Sequence, residues 1–200
     1  MAAIHDEALV VSDRVRAANA LRRITELLVV GESAGIDPDG LAAEADALEA
    51  IAARLAAGVT LAERPAVTAP PPGVRAGSSA VSGAANAIAP PLVNGPIQDG
   101  IHTGSVVFGA AYGGHPGTVH GGWVACVLDE FLARVLHDAG LQGMTGTLTI
   151  RYRRPTPLYR EVAARAWLDR IDGRKVHARG ELRDGETVCA EAEAIFIARR

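Results

Sequence analysis

The stretch from Gly117 to Gly140, GTVHGGWVACVLDEFLARVLHDAG, constrains the fold of this 200-residue chain more than any other segment. Its apolar residues recur at steps of three and four, which is the period of a helix that buries one face. The pattern therefore predicts the central helix of a domain. The apolar residues are Val124, Val127, Leu128, Phe131, Leu132, Val135 and Leu136.

Two glycines, Gly121 and Gly122, stand at the predicted start of this helix. Because they lack Cβ atoms, another group can approach the backbone, where the first N–H groups have no partner within the helix. The positive end of the helix dipole points outward at the same place. Such a helix start can hold a developing oxyanion, so it is a candidate site.

Two adjacent carboxylates lie on the flanks of the helix. On a helical wheel Asp129 falls about 120° from the centre of the apolar stripe, and Glu130 falls about as far on the other side. Arg134 follows Glu130 by one turn, where an ion pair can form. We interpret Glu130 as the solvated member of an ion pair and Asp129 as an acid held at a packed flank.

The combination of His120-Gly121-Gly122, Asp129 and the downstream run TGTLTIRYRRPTPL resembles the hotdog-fold acyl-CoA thioesterases of the PaaI type. The resemblance covers roughly residues 86–200. It implies hydrolysis of acyl-CoA to a free acid and coenzyme A, with Asp129 as base or nucleophile and the Gly121 N–H as oxyanion donor. It also implies a helix-holding or catalytic role for His120, and a water-holding hydroxyl at Thr145.

The spacing of Gly121 and Asp129 bears on how such a site is built. Eight residues of regular helix separate them by about 12 Å, so one small carbonyl cannot touch both. The chemistry therefore requires a second chain whose antiparallel helix brings its Gly121 near the first chain's Asp129. The resemblance likewise implies two equivalent sites in a homodimer, or in a dimer of dimers.

Further residues are candidates for binding the substrate. Gly122 and His115 belong to the loop and helix start, and basic side chains are candidates for the phosphates and nucleotide of coenzyme A. Similar enzymes often have Asn or Gln six residues before the motif's His, where this chain has Gly114. We expect His115 to substitute for it, or activity to be low. The basic candidates are Arg151, Arg153, Arg154, Arg174 and Lys175, and Trp123, Phe131 and Tyr152 either line an acyl pocket or pack in the core.

The rest of the chain predicts three regions. Residues 1–60 form a helical hairpin, with one helix from Ser12 to about Val30 and a second opened by Asp37 and Pro38 and ended by Gly58. Residues 61–85 form a Pro/Gly/Ala-rich linker, and residues 86–200 form the hotdog domain. The thin apolar face of the hairpin predicts docking on the domain, on a second copy or on another protein. We interpret it as a packing appendage that can be deleted, leaving a soluble and partly active core.

The domain itself predicts an α+β fold. Residues 87–100 are loop-rich, and residues 103–112 offer the first strand. After the helix, alternating patterns predict four antiparallel strands, at 147–153, 162–168, 176–180 and 188–197. This order is typical of a hotdog fold, in which an antiparallel sheet wraps around one long helix.

Composition argues against several classes of function. A net charge of −3 has no basic excess that would indicate nucleic-acid binding. No run of about eighteen apolar residues predicts a membrane span, and the two cysteines suit a reduced, cytoplasmic setting. His102, His115 and His120 lack metal-ligand spacing, and no nucleotide-binding glycine motif is present. We therefore expect no metal and no cofactor beyond the coenzyme A of the substrate.

Two other functions stay open from the sequence. One is a non-catalytic acyl-CoA-binding module whose hairpin reports ligand occupancy to a partner, which the Gly114 departure favours. The other is a hotdog hydratase or dehydratase, for which only His120 and Asp129 could supply the acid and base.

Overall fold

The computed structural model describes residues 2–34, 41–57 and 79–198, with side chains for 13–31, 41–57 and 79–198. Two helices come first, followed by two strands, a 3₁₀ helix, a long helix and four more strands. The helices are α1 (Ala2–Ala34), α2 (Ala42–Ala56), the 3₁₀ helix Ala110–Tyr112 and α3 (Gly121–Asp138). The strands are β1 (Leu92–Gln98), β2 (Ile101–Val107), β3 (Gly143–Tyr152), β4 (Glu161–Asp172), β5 (Lys175–Asp184) and β6 (Thr187–Ala198).

The strands form one antiparallel sheet in the order β1-β2-β4-β5-β6-β3. β3 pairs with β6 and not with β4, which follows it in the chain, so β1 and β3 are the two edges of the sheet. The sheet packs around α3, and this arrangement confirms the predicted α+β hotdog architecture.

The core lies between α3 and the sheet. All seven apolar residues predicted to face inward on α3 are buried, which confirms the period of the sequence pattern. The inward side chains of β4, β5 and β6 include many alanines, so the helix lies close to the sheet. A Cβ at Gly104 of β2 would lie 2.6 Å from the Phe131 ring, so this position has no room for a side chain.

The first two strands differ from the sequence prediction. Residues 87–100 are not all loop, because Leu92–Gln98 form β1. The pairing with β2 shifts between Asn94 and Ile97, and Pro96 lies within that irregularity. An edge strand with a bulge accepts a proline, which is why the composition resembles a loop. The strand expected at 103–112 is β2, Ile101–Val107, followed by the 3₁₀ helix.

The N-terminal helices also differ in their bounds. α1 begins at Ala2 and not at Ser12, which lies inside the helix. Asp37, Pro38 and Gly58, the predicted boundaries of the second helix, lie outside the described residues. None of the residues of α2 is buried.

α1 docks on the main domain, which was one of the three alternatives for the hairpin. The Arg22 guanidinium on α1 donates hydrogen bonds to backbone carbonyls of the segment before β1. These acceptors are Gly83, Ala84, Asn86 and Ala89. Deletion of residues 1–60 would remove these contacts, and the expectation of a soluble and partly active core after that deletion stays a prediction.

The described part of the predicted linker, residues 79–85, forms turns on the domain surface. Ser82 donates a 2.6 Å hydrogen bond to Glu130 of α3. Residues 61–78 lie outside the described residues. The end of the linker, residues 79–85, therefore forms a surface wrap on the domain.

Candidate active site

The start of α3 leaves one backbone donor available. His120 is the N-cap, and its Nδ1 accepts a 3.0 Å hydrogen bond from the Gly122 N–H. The His120 carbonyl accepts from the N–H groups of Trp123 and Val124, at 2.9 and 3.3 Å. Within the described residues the Gly121 N–H has no hydrogen-bond partner, so of the first four helical donors it is the one left for a ligand.

The bond to Gly122 selects one tautomer of the neutral His120 ring. An acceptor Nδ1 carries no proton, so the neutral ring has its proton on Nε2. The side chain is otherwise exposed. His120 thus holds the helix start through its imidazole, and its Nε2 has no hydrogen-bond partner among the described residues.

Asp129 lies two turns further along α3, beside the start of β3. Thr145 donates a 3.0 Å hydrogen bond from its hydroxyl to Asp129 Oδ1. β3 shifts its pairing with β6 between Thr145 and Thr147, so a bulge lies next to this contact. Among the described residues nothing donates to Asp129 Oδ2, and this oxygen is available to take a proton.

Glu130 is more covered than the sequence predicted. It forms the expected ion pair with Arg134, at 3.0 Å, but its side chain is only 23% exposed. Ser82 supplies a further hydrogen bond from the turns of residues 79–86. Glu130 is therefore a structural contact of the surface wrap and not a freely solvated carboxylate.

The two parts of the site lie at opposite ends of β3. At the end of the strand, the Tyr152 hydroxyl donates a 2.9 Å hydrogen bond to the carbonyl of Gly121. At its beginning, Thr145 contacts Asp129. Eight helical residues place Gly121 and Asp129 about 12 Å apart, so a single chain holds the two functional groups in separate places. Sequence reasoning named Tyr152 only as a pocket or core residue and missed its contact with Gly121.

A sequence profile of the Thioesterase superfamily matches residues 116–193, which include His120, Gly121, Asp129 and Thr145. A crystallised thioesterase superfamily protein, RHA08564, is 33% identical, and the match covers 92% of this chain and 94% of that one with a TM-score of 0.78. This chain belongs to the thioesterase superfamily. The family resemblance read from the sequence is thereby confirmed.

Two further relatives of this thioesterase superfamily member match shorter parts of the chain. Acyl-coenzyme A thioesterase THEM4 of Mus musculus is 36% identical over 86 residues, which are 42% of this chain and 37% of that protein's length. The chain thus spans well under half the length of this curated relative. The PaaI protein of E. coli, from the phenylacetic acid degradation operon, is 16% identical with a TM-score of 0.50, over 53% of this chain and 82% of that one. At that identity the likeness shows the fold alone.

The basic candidates of the thioesterase do not form one cluster within the chain. Arg153 and Arg154 line a cavity of about 400 Å³ beside Gly121, together with His115. Arg153 is held by Glu191 at 2.8 Å, and Arg151 is exposed on β3.

Arg174 and Lys175 lie at the other end, near the beginning of β3. Arg174 donates to the carbonyl of Ala198, and the Cα partner of Ala198 in the sheet is Gly143, the first residue of β3. Lys175 is exposed at the start of β5. The predicted phosphate-binding residues are therefore divided between the Gly121 end and the Asp129 end.

The structure gives a reason for glycine at position 114. A Cβ on Gly114 would lie 2.9 Å from His120 Cα, so the backbone of the loop leaves no room for an Asn or Gln there. His115 is exposed and lines the cavity beside Gly121. His115 and Thr118 are thus polar side chains that this loop places at the cavity.

The aromatic candidates have different surroundings. Phe131 is fully buried in the core. Trp123 packs edge-on against Tyr112 with ring centroids 5.1 Å apart. Phe131 is thus a packing residue, and Tyr152, more than half exposed, faces the start of α3.

The two thiols form no hydrogen bond with Gly121 or Asp129 among the described residues. Cys126 is exposed and Cys189 is buried, where desolvation raises the pKa of the Cys189 thiol. In the described ranges no group of three or more His, Cys, Asp or Glu side chains is placed to hold a metal ion. Nor does any helix in those ranges have the length and apolarity to cross a membrane.

Proposed function

We propose that this protein hydrolyses acyl-CoA thioesters to free carboxylic acids and coenzyme A, at sites that two chains build together. The observation that carries the proposal is that α3 presents one backbone donor and one carboxylate with capacity to contact a substrate. These are the N–H of Gly121, which has no partner in the described part of the chain, and the Asp129 carboxylate that Thr145 orients. The printed activity of the THEM4 relatives, acyl-coenzyme A thioesterase, supports the choice of substrate.

The chemistry follows from what each group can donate or accept. The Gly121 N–H donates to the thioester oxygen as negative charge develops there. Asp129 takes a proton from a water that attacks the carbonyl carbon. The C–S bond then breaks, and the departing sulfur takes up that proton, so that coenzyme A leaves as its thiol. Alternatively, Asp129 attacks directly to form a mixed anhydride, which water then hydrolyses.

Two observations indicate that a second chain is needed, namely the distance between Gly121 and Asp129 and the uncovered edge of the sheet at β3. About 12 Å between Gly121 and Asp129 exceeds the reach of one thioester group. β3 is an edge strand, and its inward side chains Leu148 and Ile150 are only partly buried. A second copy running antiparallel along this edge covers them and brings each Gly121 end to the other chain's Asp129 end. Assembly of two such dimers into a tetramer, which the family resemblance also allows, stays a prediction.

The same pairing supports a role for the divided basic residues. In an antiparallel dimer the Arg154 and His115 of one chain approach the Arg174 and Lys175 of the other. A charged rim built by both chains suits the phosphates of coenzyme A. In the described residues Arg154 forms no ion pair, whereas Arg153 is engaged by Glu191.

We expect Arg154→Gln to raise the KM for acyl-CoA about tenfold, because one charge-assisted phosphate contact is lost. The KM for the corresponding acyl-pantetheine, which lacks the nucleotide, should not change. Steady-state kinetics on both substrates measure this, with Arg170→Gln on β4 as the control. An equal rise in KM for both substrates would show that Arg154 does not contact the nucleotide.

Thr145→Ala should lower kcat about tenfold, the effect of losing one hydrogen bond to a carboxylate. Thr147→Ala is the matched control, since Thr147 is exposed on the same strand beyond the bulge. Equal kcat values for the two variants would contradict a role of Thr145 in the site.

A thiol-release assay over a panel of acyl-CoA esters tests the proposed function directly. Turnover with formation of free coenzyme A supports it. Stoichiometric binding without release would favour the non-catalytic binding module, for which the absent side chain at Gly114 is the motive. Consumption of an enoyl or β-hydroxyacyl ester without thiol release would favour the hydratase. A reducing, cytoplasmic compartment, suited to two unpaired thiols, stays a prediction.

A further inference from the structure

Glu26 on α1 caps a helical turn in a distant part of the chain. The 3₁₀ helix Ala110–Tyr112 has Gly109 at its N-cap, which has no side chain to accept a hydrogen bond. Glu26 supplies the acceptors instead: its Oε1 accepts from the Ala110 N–H at 2.7 Å and its Oε2 from the Ala111 N–H at 3.1 Å. A Cβ at position 109 would lie 2.5 Å from Glu26 Oε2, so glycine is what permits this approach.

A third donor completes the environment of the carboxylate. The Tyr159 hydroxyl donates to Glu26 Oε1 at 2.9 Å, and this bond raises the pKa of Tyr159. Burial opposes ionisation of Glu26, but the hydrogen bonds from Ala110, Ala111 and Tyr159 outweigh it and hold the pKa of Glu26 below its usual value. Glu26 is therefore ionised at neutral pH and accepts all three bonds as a charged group.

The capped turn connects directly to the start of α3. The carbonyl of Tyr112, the last residue of the 3₁₀ helix, accepts a 2.9 Å hydrogen bond from the His120 N–H. The Tyr112 ring is buried, and its hydroxyl donates to the carbonyl of Ala89. His120 in turn accepts from the Gly122 N–H through its side chain. An unbroken series of contacts thus runs from Glu26 to the helix start that presents the Gly121 N–H.

We propose that Glu26 is a positioning residue of the thioesterase site, which fixes the 3₁₀ helix and thereby the orientation of the Gly121 N–H. The inference rests on the proposed function. It makes α1 a working part of the catalytic domain and not an appendage. A displacement of about 1 Å at a reacting group is enough to lower a rate many-fold, so loss of this cap reaches the chemistry without any contact with substrate.

The test compares Glu26→Gln with Asp13→Asn in the full-length protein. Both remove one carboxylate from α1, but Asp13 is exposed, and among the residues with described side chains it bonds only to Arg16 on the same helix. Glutamine keeps the size of glutamate and turns an N–H₂ donor toward one of the backbone donors. Two quantities are measured on protein shown by thermal unfolding to be fully folded: kcat and KM for acyl-CoA, and deuterium uptake of residues 109–124 relative to residues 175–184.

For Glu26→Gln we expect kcat to fall about ten- to a hundredfold, with KM within about twofold of wild type. Deuterium uptake should rise in 109–124 and stay unchanged in 175–184. Asp13→Asn should match wild type in both quantities. If Glu26→Gln does not fold, Tyr159→Phe, which removes only the third hydrogen bond from an exposed side chain, should show the same two changes at smaller size.

Three results would overturn the inference. These are an unchanged kcat in the folded Glu26→Gln protein, a lower kcat with unchanged uptake in 109–124, and an equal loss in Asp13→Asn. If the wild-type protein releases no thiol, the proposed function fails by itself. The uptake of 109–124 then decides whether Glu26 fixes this segment, since unchanged uptake rejects the cap and faster uptake retains it.

Discussion

Asp129→Asn is expected to lower kcat for acyl-CoA hydrolysis by at least about a thousandfold, near the upper range for removal of a general base. The amide has the size of the carboxylate but can neither take a proton from water nor attack the thioester. Its oxygen can still accept the hydrogen bond from Thr145, so the local structure should be kept. KM and the thermal unfolding temperature should therefore stay close to those of wild type, and Asp129→Ala should lose activity likewise.

Glu130→Gln is the matched control on the neighbouring residue. Its amide oxygen can still accept from Ser82 and Arg134, and Glu130 lies on the other flank of the helix from Asp129, so we expect activity within about twofold of wild type. Single-turnover thiol release measures both variants. Wild-type rates for purified Asp129→Asn, or a comparable loss for Glu130→Gln, would eliminate the proposed mechanism.

The central helix was the part most readily predicted from the sequence. Burial of one face imposes a period of 3.6 residues on the apolar positions. This period is visible in the short stretch from Val124 to Leu136, without knowledge of any distant contact. Gly121, Asp129 and Thr145 were named from a short motif, and the structure brings Thr145 and Asp129 into contact. The separation of Gly121 and Asp129 also follows from helix geometry alone.

Other features depend on contacts between distant residues, and no local pattern reports them. β1 was missed because its proline lies at a bulge of an edge strand, where the usual exclusion of proline does not apply. The capping role of Glu26 could not be predicted, because it bonds to the backbone N–H groups of Ala110 and Ala111, which are 84 and 85 residues away in the chain. The covering of Glu130 by Ser82 is equally non-local.

The Gly121→Pro variant should also lose most of its activity, by about a hundred- to a thousandfold, the usual effect of removing one oxyanion donor. Proline has no N–H, yet it suits the first position of a helix. The preceding residue must be extended, and His120 already has φ −62° and ψ 133°. The fold should therefore tolerate the substitution, as unfolding temperature and circular dichroism can establish.

Gly121→Ala is the control for the added atoms, because it keeps the N–H. Its Cβ would lie 3.2 Å from the Tyr152 hydroxyl, the end of an exposed side chain that can move slightly. We expect it to retain most of the activity. An equal loss in the alanine and proline variants would assign the effect to crowding against Tyr152 and not to the N–H.

Mixing the two inactive proteins, Asp129→Asn and Gly121→Pro, tests most directly whether the site is shared between chains. In an equal mixture about half of the dimers contain one chain of each kind, and such a dimer has one site with both defects and one intact site. Activity should therefore recover to at most about a quarter of the wild-type value after subunit exchange, with native mass spectrometry verifying the mixed dimers. No recovery in verified mixed dimers, with a correctly folded Gly121→Pro chain, would mean that each chain carries a complete site and would contradict the account.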